Sequence, residues 1–431
     1  MMHPTDVTYI ALVSLAGAVA RALRRGLPPG WRLRLEASAP EDLEAGWIWL
    51  HAVSVGELIL AKSLAEKLRD EQHRVHITTG TAAGLALLNE RTVQWDQGSG
   101  LLSGGPFPLD DPSGLKSFFR NPPGAFIALE TELWPNLLRQ LEAHQIPRII
   151  VNGRLTARSA DRSGLGGLWL RHAAERVSLV IARDAESRDA FSTLGAPNVV
   201  MGGNLKADMP SPVPLAASWE GLRRGWLESP VMVAGSTLEG EESIALEAWR
   251  KLRPIHPALR LILAPRQPKR FQAVAKWLAE QDLYFNRASD IQHLDTAQWQ
   301  KTDVLLLDTL GDLPAAYGEG TVALVGGGWR GKGGHNPLEP VRWGIPTLIG
   351  PGFTNFEDLV APLRTADRLK VVTESELVTE IHAALESAPA RGPGWDGNSP
   401  LPGGLSGALE KTLALLRPWM PLEGRDRNLE K

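Results

Sequence analysis

Trp47-Ile-Trp-Leu-His-Ala-Val-Ser-Val-Gly-Glu57, continued by Leu58–Arg69, carries the reading of the fold. Trp47–Val53 is a continuous apolar run of strand length. Leu60, Leu64 and Leu68 then recur on one face of a helix. A strand without polar alternation is one covered on both faces. The same strand–helix rhythm returns along the chain. Further strand-length runs are Arg74–Thr78, Ala125–Leu129, Arg148–Val151 and Leu179–Ala182 in the first half. Val231–Ala234, Leu259–Ala264, Asp303–Leu307, Thr321–Val325 and Pro346–Ile349 follow in the second. Such alternation implies right-handed crossovers and a mostly parallel sheet. The expected class is α/β, with two Rossmann-like, doubly wound domains.

Pro210, Pro212 and Pro214 mark a linker between the halves. The expected division is an N-terminal segment 1–45, a domain 46–208, a linker 209–216, a domain 217–405 and a C-terminal helix and tail 406–431. The last helix is placed at Ala408–Leu416, after the Pro/Gly-rich stretch Pro389–Gly404, and residues Glu90–Gly105 read as an enlarged loop. Ligands of doubly wound sheets bind beyond the carboxyl ends of the strands. Two such domains make a cleft, and the chemistry belongs in the loops that follow strands.

The chain has 431 residues, with 46 Lys plus Arg against 49 Asp plus Glu, a net charge of −3. That balance excludes a generally basic nucleic-acid binder. The absence of cysteine excludes a disulfide scaffold, a Cys-ligated metal and a cysteine nucleophile. Trp is unusually frequent, 15 against 3 Tyr. No Asp-x-Asp or His-x-x-x-His pair is present, so no metal is expected.

Val7–Ala20 is an uncharged apolar run followed by Arg21, Arg24, Arg25, Arg32 and Arg34. A secretory signal places its positive charge first, although Ala18-Val19-Ala20 is cleavage-like. The run is also short for a span, which needs about 20 apolar residues. The expectation is an apolar helix in a membrane surface, with the arginines on anionic headgroups, holding the chain on the cytoplasmic side. A helix packed on the body of the protein is the alternative.

Five motifs offer chemistry. Glu57 follows a strand and stands three residues after Ser54, so it is either a helix cap or a general base. Glu130 and Glu132 follow Ala125–Leu129 and read as the first turn of a helix, there to meet the helix dipole or to face a substrate. Lys206, in Gly203–Asp208, is either a solvated lysine or a stabiliser of developing negative charge. Pro265-Arg266, at a strand end, suits a phosphate or a surface ion pair. Gly326–Lys332 mimics a P-loop but continues with Gly333 where Ser or Thr is required. Its glycines instead lead to Asn336-Pro337-Leu338-Glu339, with Asn336 as N-cap, Pro337 as first helical residue and Glu339 completing the cap. The loop's N–H groups then form an anion site, and Glu339 can instead turn to ribose hydroxyls. Carboxylates in one half and an anion site in the other describe a glycosyltransferase of the two-Rossmann-domain (GT-B) kind.

These segments resemble the family of 3-deoxy-D-manno-octulosonic acid (Kdo) transferases. The resemblance covers about Trp47 to Phe356. It rests on HAVSVGE, FPLDDP (Phe107–Pro112), ETELWPN, VNGRLTARS (Val151–Ser159), GNLKAD, AGSTLEGEE (Ala234–Glu242), APRQPKRF, DTLGDL (Asp308–Leu313), GGHNPLEP and GPGFTNF. It implies inverting, metal-independent transfer of Kdo from CMP-Kdo to a lipid A precursor, without a cofactor, at the cytoplasmic face of a bacterial inner membrane. By the same resemblance Glu57 is the base, Glu130 and Lys206 support the transition state, and Pro265, Arg266, Leu310, Gly311, Asp312 and Asn336 through Glu339 contact CMP. Two departures stand out. Asp312 replaces the family's usual glutamate, and Thr78–Gly84 differs from the family's threonine- and proline-containing run. The second motivates an alternative, a transferase for another CMP-activated acid sugar or lipid acceptor. An inactive lipid- or nucleotide-binding relative is a further one.

Overall fold

The computed structural model describes residues 4–161, 164–209, 215, 217–227, 229–293, 295–387, 399–402 and 405–421. The expected linker lies outside the described residues at 210–214 and 216, as do 388–398 and 403–404 of the Pro/Gly-rich stretch and the tail from 422. The chain forms two compact units, one of Met1–Met209 with Gly407–Lys431, the other of Pro210–Ser406.

The first unit holds a parallel seven-stranded sheet. Its strands are β1 (Ile48–His51), β2 (Val75–Thr79), β3 (Leu102–Pro106), β4 (Ala125–Leu129), β5 (Arg148–Gly153), β6 (Leu179–Ala182) and β7 (Val199–Met201), in the order β3-β2-β1-β4-β5-β6-β7. The second holds β8 (Val231–Thr237), β9 (Arg260–Pro265), β10 (Phe285–Arg287), β11 (Val304–Leu306), β12 (Val322–Val325), β13 (Thr347–Ile349) and β14 (Lys370–Val371). Their order is β10-β11-β9-β8-β12-β13-β14, again all parallel. In each sheet the first strand lies in the interior and the order reverses beside it. That is the switch point at which such sheets bind ligands.

β1 shows why the apolar runs are continuous. Ile48 and Leu50 enter a core with Leu58, Leu64 and Ile77 on one face. Trp47 and Trp49 enter another with Phe107, Phe118 and Phe126 on the opposite face. Tryptophans fill the cores of both units, and several of them find acceptors for their N–H groups. Trp49 stacks on Phe118 with ring centroids 4.4 Å apart and donates to Thr78 Oγ1 at 2.8 Å. Trp47, Trp226, Trp249 and Trp343 donate to backbone carbonyls.

Residues 90–105 are not a loop. They complete the helix Ala82–Asp96 and enter β3, whose Leu102-Ser-Gly-Gly-Pro106 is too polar to read as a buried strand. The last helix, Ala408–Leu416, belongs to the first unit, where Leu413 and Leu416 join the core. Asp208 fastens it, accepting from Gly407 N–H at 2.7 Å and Leu409 N–H at 2.5 Å.

The helix Pro4–Ala22 is docked on one side. Asp6 accepts two hydrogen bonds from Arg176 at 2.9 and 2.7 Å, Tyr9 donates to Asp110 at 2.9 Å, and Arg21 forks onto Asp111 at 2.6 and 2.9 Å. Its other side leaves Val7, Leu12, Leu15 and Val19 exposed. The expected five-arginine cluster is reduced. Arg21 is bound to Asp111, and Arg34 lies over the rings of Phe107 and Trp134, leaving Arg24, Arg25 and Arg32 exposed.

Because Asp208 makes two charge-assisted bonds to the last helix, Asp208→Ala should destabilise the first unit by about 1–3 kcal/mol. Amide exchange in 408–416 should rise in parallel. Unchanged protection there would show that the cap is dispensable.

Candidate functional site

Ser54 caps the helix Val55–Asp70, its Oγ accepting from Glu57 N–H at 3.3 Å. The Glu57 carboxylate turns back, taking Val53 N–H on Oε2 and Ser54 Oγ–H on Oε1, both at 2.8 Å. Cap and base therefore share one carboxylate. They do not exclude each other, because a carboxylate offers about four acceptor positions and two are used. Burial pushes the Glu57 carboxyl above its ordinary value, the two bonds oppose that, and Glu130 and Glu132 add to it. Thr79 Oγ1 donates to Val53 O at 2.9 Å, so the threonine-rich segment supports the Glu57 loop. At Gly84, a Cβ would come within 2.4 Å of Thr79 Oγ1.

Glu130 and Glu132 are not in a first helical turn, as their spacing suggests. The helix starts at Pro135, and Glu130 stands at the end of β4 in the left-handed region, φ 59°. The helix N-terminus is already served by Asp110, whose carboxylate takes Asn136 N–H at 3.0 Å and Leu137 N–H at 2.7 Å. Released from that task, Glu130 accepts from Lys206 Nζ at 3.5 Å. Glu132 accepts from Trp134 Nε1 at 2.6 Å and lies 3.6 Å from His51 Nε2. His51 is buried, stacked on Phe107 and bound through Nδ1 to Thr78. Asn152, at φ 52° at the end of β5, accepts from Leu205 N–H at 2.9 Å, and Asn204 Oδ1 accepts from Lys206 N–H at 3.0 Å. Glu57, Glu130, Glu132, His51 and Lys206 thus gather at the carboxyl edge of the first sheet.

In the second unit, Pro265 ends β9 and is buried, while Arg266 is exposed. Asn336 Oδ1 accepts from Leu338 N–H at 3.2 Å, and its Nδ2 donates to Glu339 Oε1 at 3.3 Å. The helix runs only over Leu338–Arg342, so Pro337 precedes it and Glu339 pairs with the Asn336 side chain rather than closing a backbone cap. Burial pushes the Glu339 carboxyl up to about 7, against the opposing pull of Asn336 and Arg266. His335 is pushed down to about 4 by burial and by Arg266. Arg266, His335, Asn336 and Glu339 are therefore one cluster. Leu310 is exposed, Gly311 has φ 91°, and Asp312 accepts from Thr309 Oγ1 at 2.6 Å, all on the loop after β11.

The glycine loop does hold an anion, but an internal one. Gly327 N–H at 2.6 Å, Trp329 N–H at 3.1 Å and Arg330 N–H at 3.4 Å donate to Glu241, which also accepts Leu238 N–H at 2.9 Å. Glu242 beside it accepts two hydrogen bonds from Arg270 at 2.6 and 3.0 Å. This corrects the expectation of a phosphate on those N–H groups.

A family model for 3-deoxy-D-manno-octulosonic-acid transferase (kdotransferase) matches residues 29–209. The chain is 34% identical to the 3-deoxy-D-manno-octulosonic acid transferase of Haemophilus influenzae, over 86% of this chain and 87% of that one. The chain belongs to the Kdo transferase family. It is 26% identical to the C-terminal CMP-Kdo binding domain of WaaA from Acinetobacter baumannii, over 39% of this chain and 97% of that one, with a TM-score of 0.32. In fold it is similar to a UDP-GlcNAc 2-epimerase of Neisseria meningitidis, with a TM-score of 0.52 at 14% identity over 86% of this chain and 99% of that one. This Kdo transferase family member is thus a glycosyltransferase of GT-B fold.

Asp110 and Glu241 are what sequence reasoning missed. Both lie in quoted motifs, FPLDDP and AGSTLEGEE, yet each serves N–H groups distant in the chain, which spacing cannot show. Burial is the main cause that pushes Asp110 up to about 7, while Asn136, Tyr9, Leu137 and Arg34 pull it down. A carboxyl raised above its unfolded value of about 3.9 stabilises fully below that value. The contribution is lost as pH rises through about 7. Asp110→Asn should therefore flatten the fall in stability across that window, read by denaturant unfolding at several pH values. Glu241→Gln should cost the second unit about 1–3 kcal/mol, by loss of a buried charge-assisted acceptor. An unchanged unfolding midpoint would remove Glu241 from this role.

Proposed function

We propose that this glycosyltransferase moves Kdo from CMP-Kdo to a lipid A precursor, with inversion and without metal, in lipopolysaccharide core synthesis. The observation that carries the reading is Glu57, a carboxylate with raised pKa and spare acceptor positions, beside the Lys206–Glu130 pair in a Kdo transferase. Glu57 takes the proton of the acceptor hydroxyl. The hydroxyl oxygen bonds to the anomeric carbon of Kdo as the bond from that carbon to the CMP phosphate oxygen breaks. Attack opposite the leaving group inverts the centre. Lys206, held by Asn152 and Asn204 through the backbone, supplies a cation for negative charge on the substrate, and Glu130 keeps its ammonium in place.

CMP leaves with one phosphate. Arg266 is exposed beside Asn336 and Glu339, and an arginine can fork onto that phosphate. With Glu241 on the glycine loop, this arginine rather than the loop carries the leaving charge. Pro265, Leu310, Gly311, Asp312, Pro337 and Leu338 complete the CMP contacts in this reading, and Glu339 meets the ribose. The helix Pro4–Ala22 is long and apolar enough, by length and composition, to reach into a membrane. Docked along one side and apolar along the other, it supports attachment to the cytoplasmic face of the inner membrane.

Purified protein, CMP-Kdo and a tetra-acylated lipid A precursor should give an acceptor mass gain of one or more Kdo units. Glu57→Gln should lower the rate by about 10²–10⁴-fold. Because the base works deprotonated and its pKa is raised, the acid limb of the pH–rate profile should lie above the ordinary glutamate value of about 4.3. Full turnover in the variant would remove Glu57 as base. No mass gain in a folded, CMP-binding wild type would move the search to another acid sugar or lipid.

A further inference from the structure

We propose that His256, His382 and Glu386 bind one divalent transition-metal ion, zinc by preference, which pins the helix Leu377–Ser387 to the chain entering β9. His382 and Glu386 are four residues apart and so share a face of that helix. His256 belongs to the turn between the helix Glu241–Leu252 and β9, fixed by its N–H to Leu252 O at 2.8 Å and by Leu259 N–H to its own carbonyl at 2.9 Å. The two helices pack in one apolar core through Leu252, Leu377, Ile381 and Ala384, so the three side chains are brought together by rigid elements.

His256 Nε2 lies 2.9 Å from His382 Nδ1 and 3.8 Å from Glu386 Oε1. All three ligand atoms fall within 4.8 Å of one another. Zinc binds imidazole nitrogen and carboxylate oxygen at about 2.0–2.2 Å, which sets tetrahedral ligands roughly 3.3 Å apart. The 2.9 and 3.8 Å separations lie within about 0.5 Å of that value, and the His382–Glu386 separation, at most 4.8 Å, closes by rotation of the exposed Glu386 side chain. Without an ion the two imidazoles share a single proton, and the carboxylate stands beyond hydrogen-bond reach of His256. An ion satisfies all three donors, and imidazole with carboxylate is a set that suits zinc. Glu386 is exposed, which gives the ion an entry path and room for a water as fourth ligand. The turn lies where the chain enters β9, at the amino edge of the second sheet. Arg266 follows the other end of that strand. The ion is therefore a stabilising clamp and takes no part in sugar transfer.

Metal-free full-length protein titrated calorimetrically with Zn²⁺ should bind one ion per chain. His256→Gln and His382→Ala should each weaken binding at least tenfold. Co²⁺ should give ligand-field absorption in the wild type that is lost in both variants, and Zn²⁺ should raise the melting temperature of the wild type alone. His256→Gln keeps an amide able to bond His382, so it decides the matter even if His382→Ala fails to fold. Absence of stoichiometric Zn²⁺ binding by the wild type, or binding unchanged in His256→Gln, would overturn the proposal.

Discussion

Parallel pairing in both sheets puts every strand's carboxyl end on one edge, and the polar groups of the molecule sort themselves by that constraint. The interior strands are mostly apolar on both faces and leave little place for a charge. Where the strands stop, the backbone bends sharply. Glu130, Asn152 and Ser236 all take positive φ at or just after the ends of β4, β5 and β8, with values of 59°, 52° and 55°. Such conformations cost a non-glycine residue of order 1–3 kcal/mol and persist only where neighbours hold them. Here they turn Glu130 toward Lys206 and Asn152 toward the backbone of Leu205.

A second regularity is the use of buried or half-buried carboxylates as fasteners. Asp110 holds the start of the helix Pro135–Ala143, Glu241 holds the glycine loop, and Asp208 holds the last helix. Each sits in a motif that resembles a catalytic segment. The motif is thus partly structural, and the residues that face substrate are fewer than its length suggests. Asp208 is two residues from Lys206, so the bond that fixes the C-terminal helix also limits the freedom of the lysine.

The ten apolar runs found in the sequence are the ten interior strands. The four strands without such a signal, β3, β7, β10 and β14, are the four sheet edges. An edge strand has one neighbour and part of its surface in water, so Leu102-Ser-Gly-Gly-Pro106 and Phe285-Asn-Arg287 need not be apolar. The placement of Glu57, Glu130 and Arg266 just after strands was legible because a strand end is a local event. Partnerships across the chain were not. His256 and His382 are 126 positions apart, and Tyr9 meets Asp110 across 101. No spacing rule reaches so far.

The amino-terminal helix shows how packing decides between readings that composition leaves open. Buried Asp6, Gly17 and Ala20 face the protein, and exposed Leu12, Leu15 and Val19 lie on the opposite side. Gly17 admits the Asp111 carboxylate so closely that a Cβ there would sit 2.4 Å from Oδ2. The Asp6–Arg176 pair is largely shielded from water, with side chains 6% and 12% exposed. Drawing the helix into a bilayer as a span would break that pair, the Tyr9 hydrogen bond to Asp110 and the Arg21 fork on Asp111. Stripping one partner from a buried ion pair costs about 3–5 kcal/mol. Laying the exposed face on a membrane breaks none of them and buries apolar surface at about 25 cal/mol per Å². Between a span and a helix that stays packed on the first unit, the balance favours the packed helix.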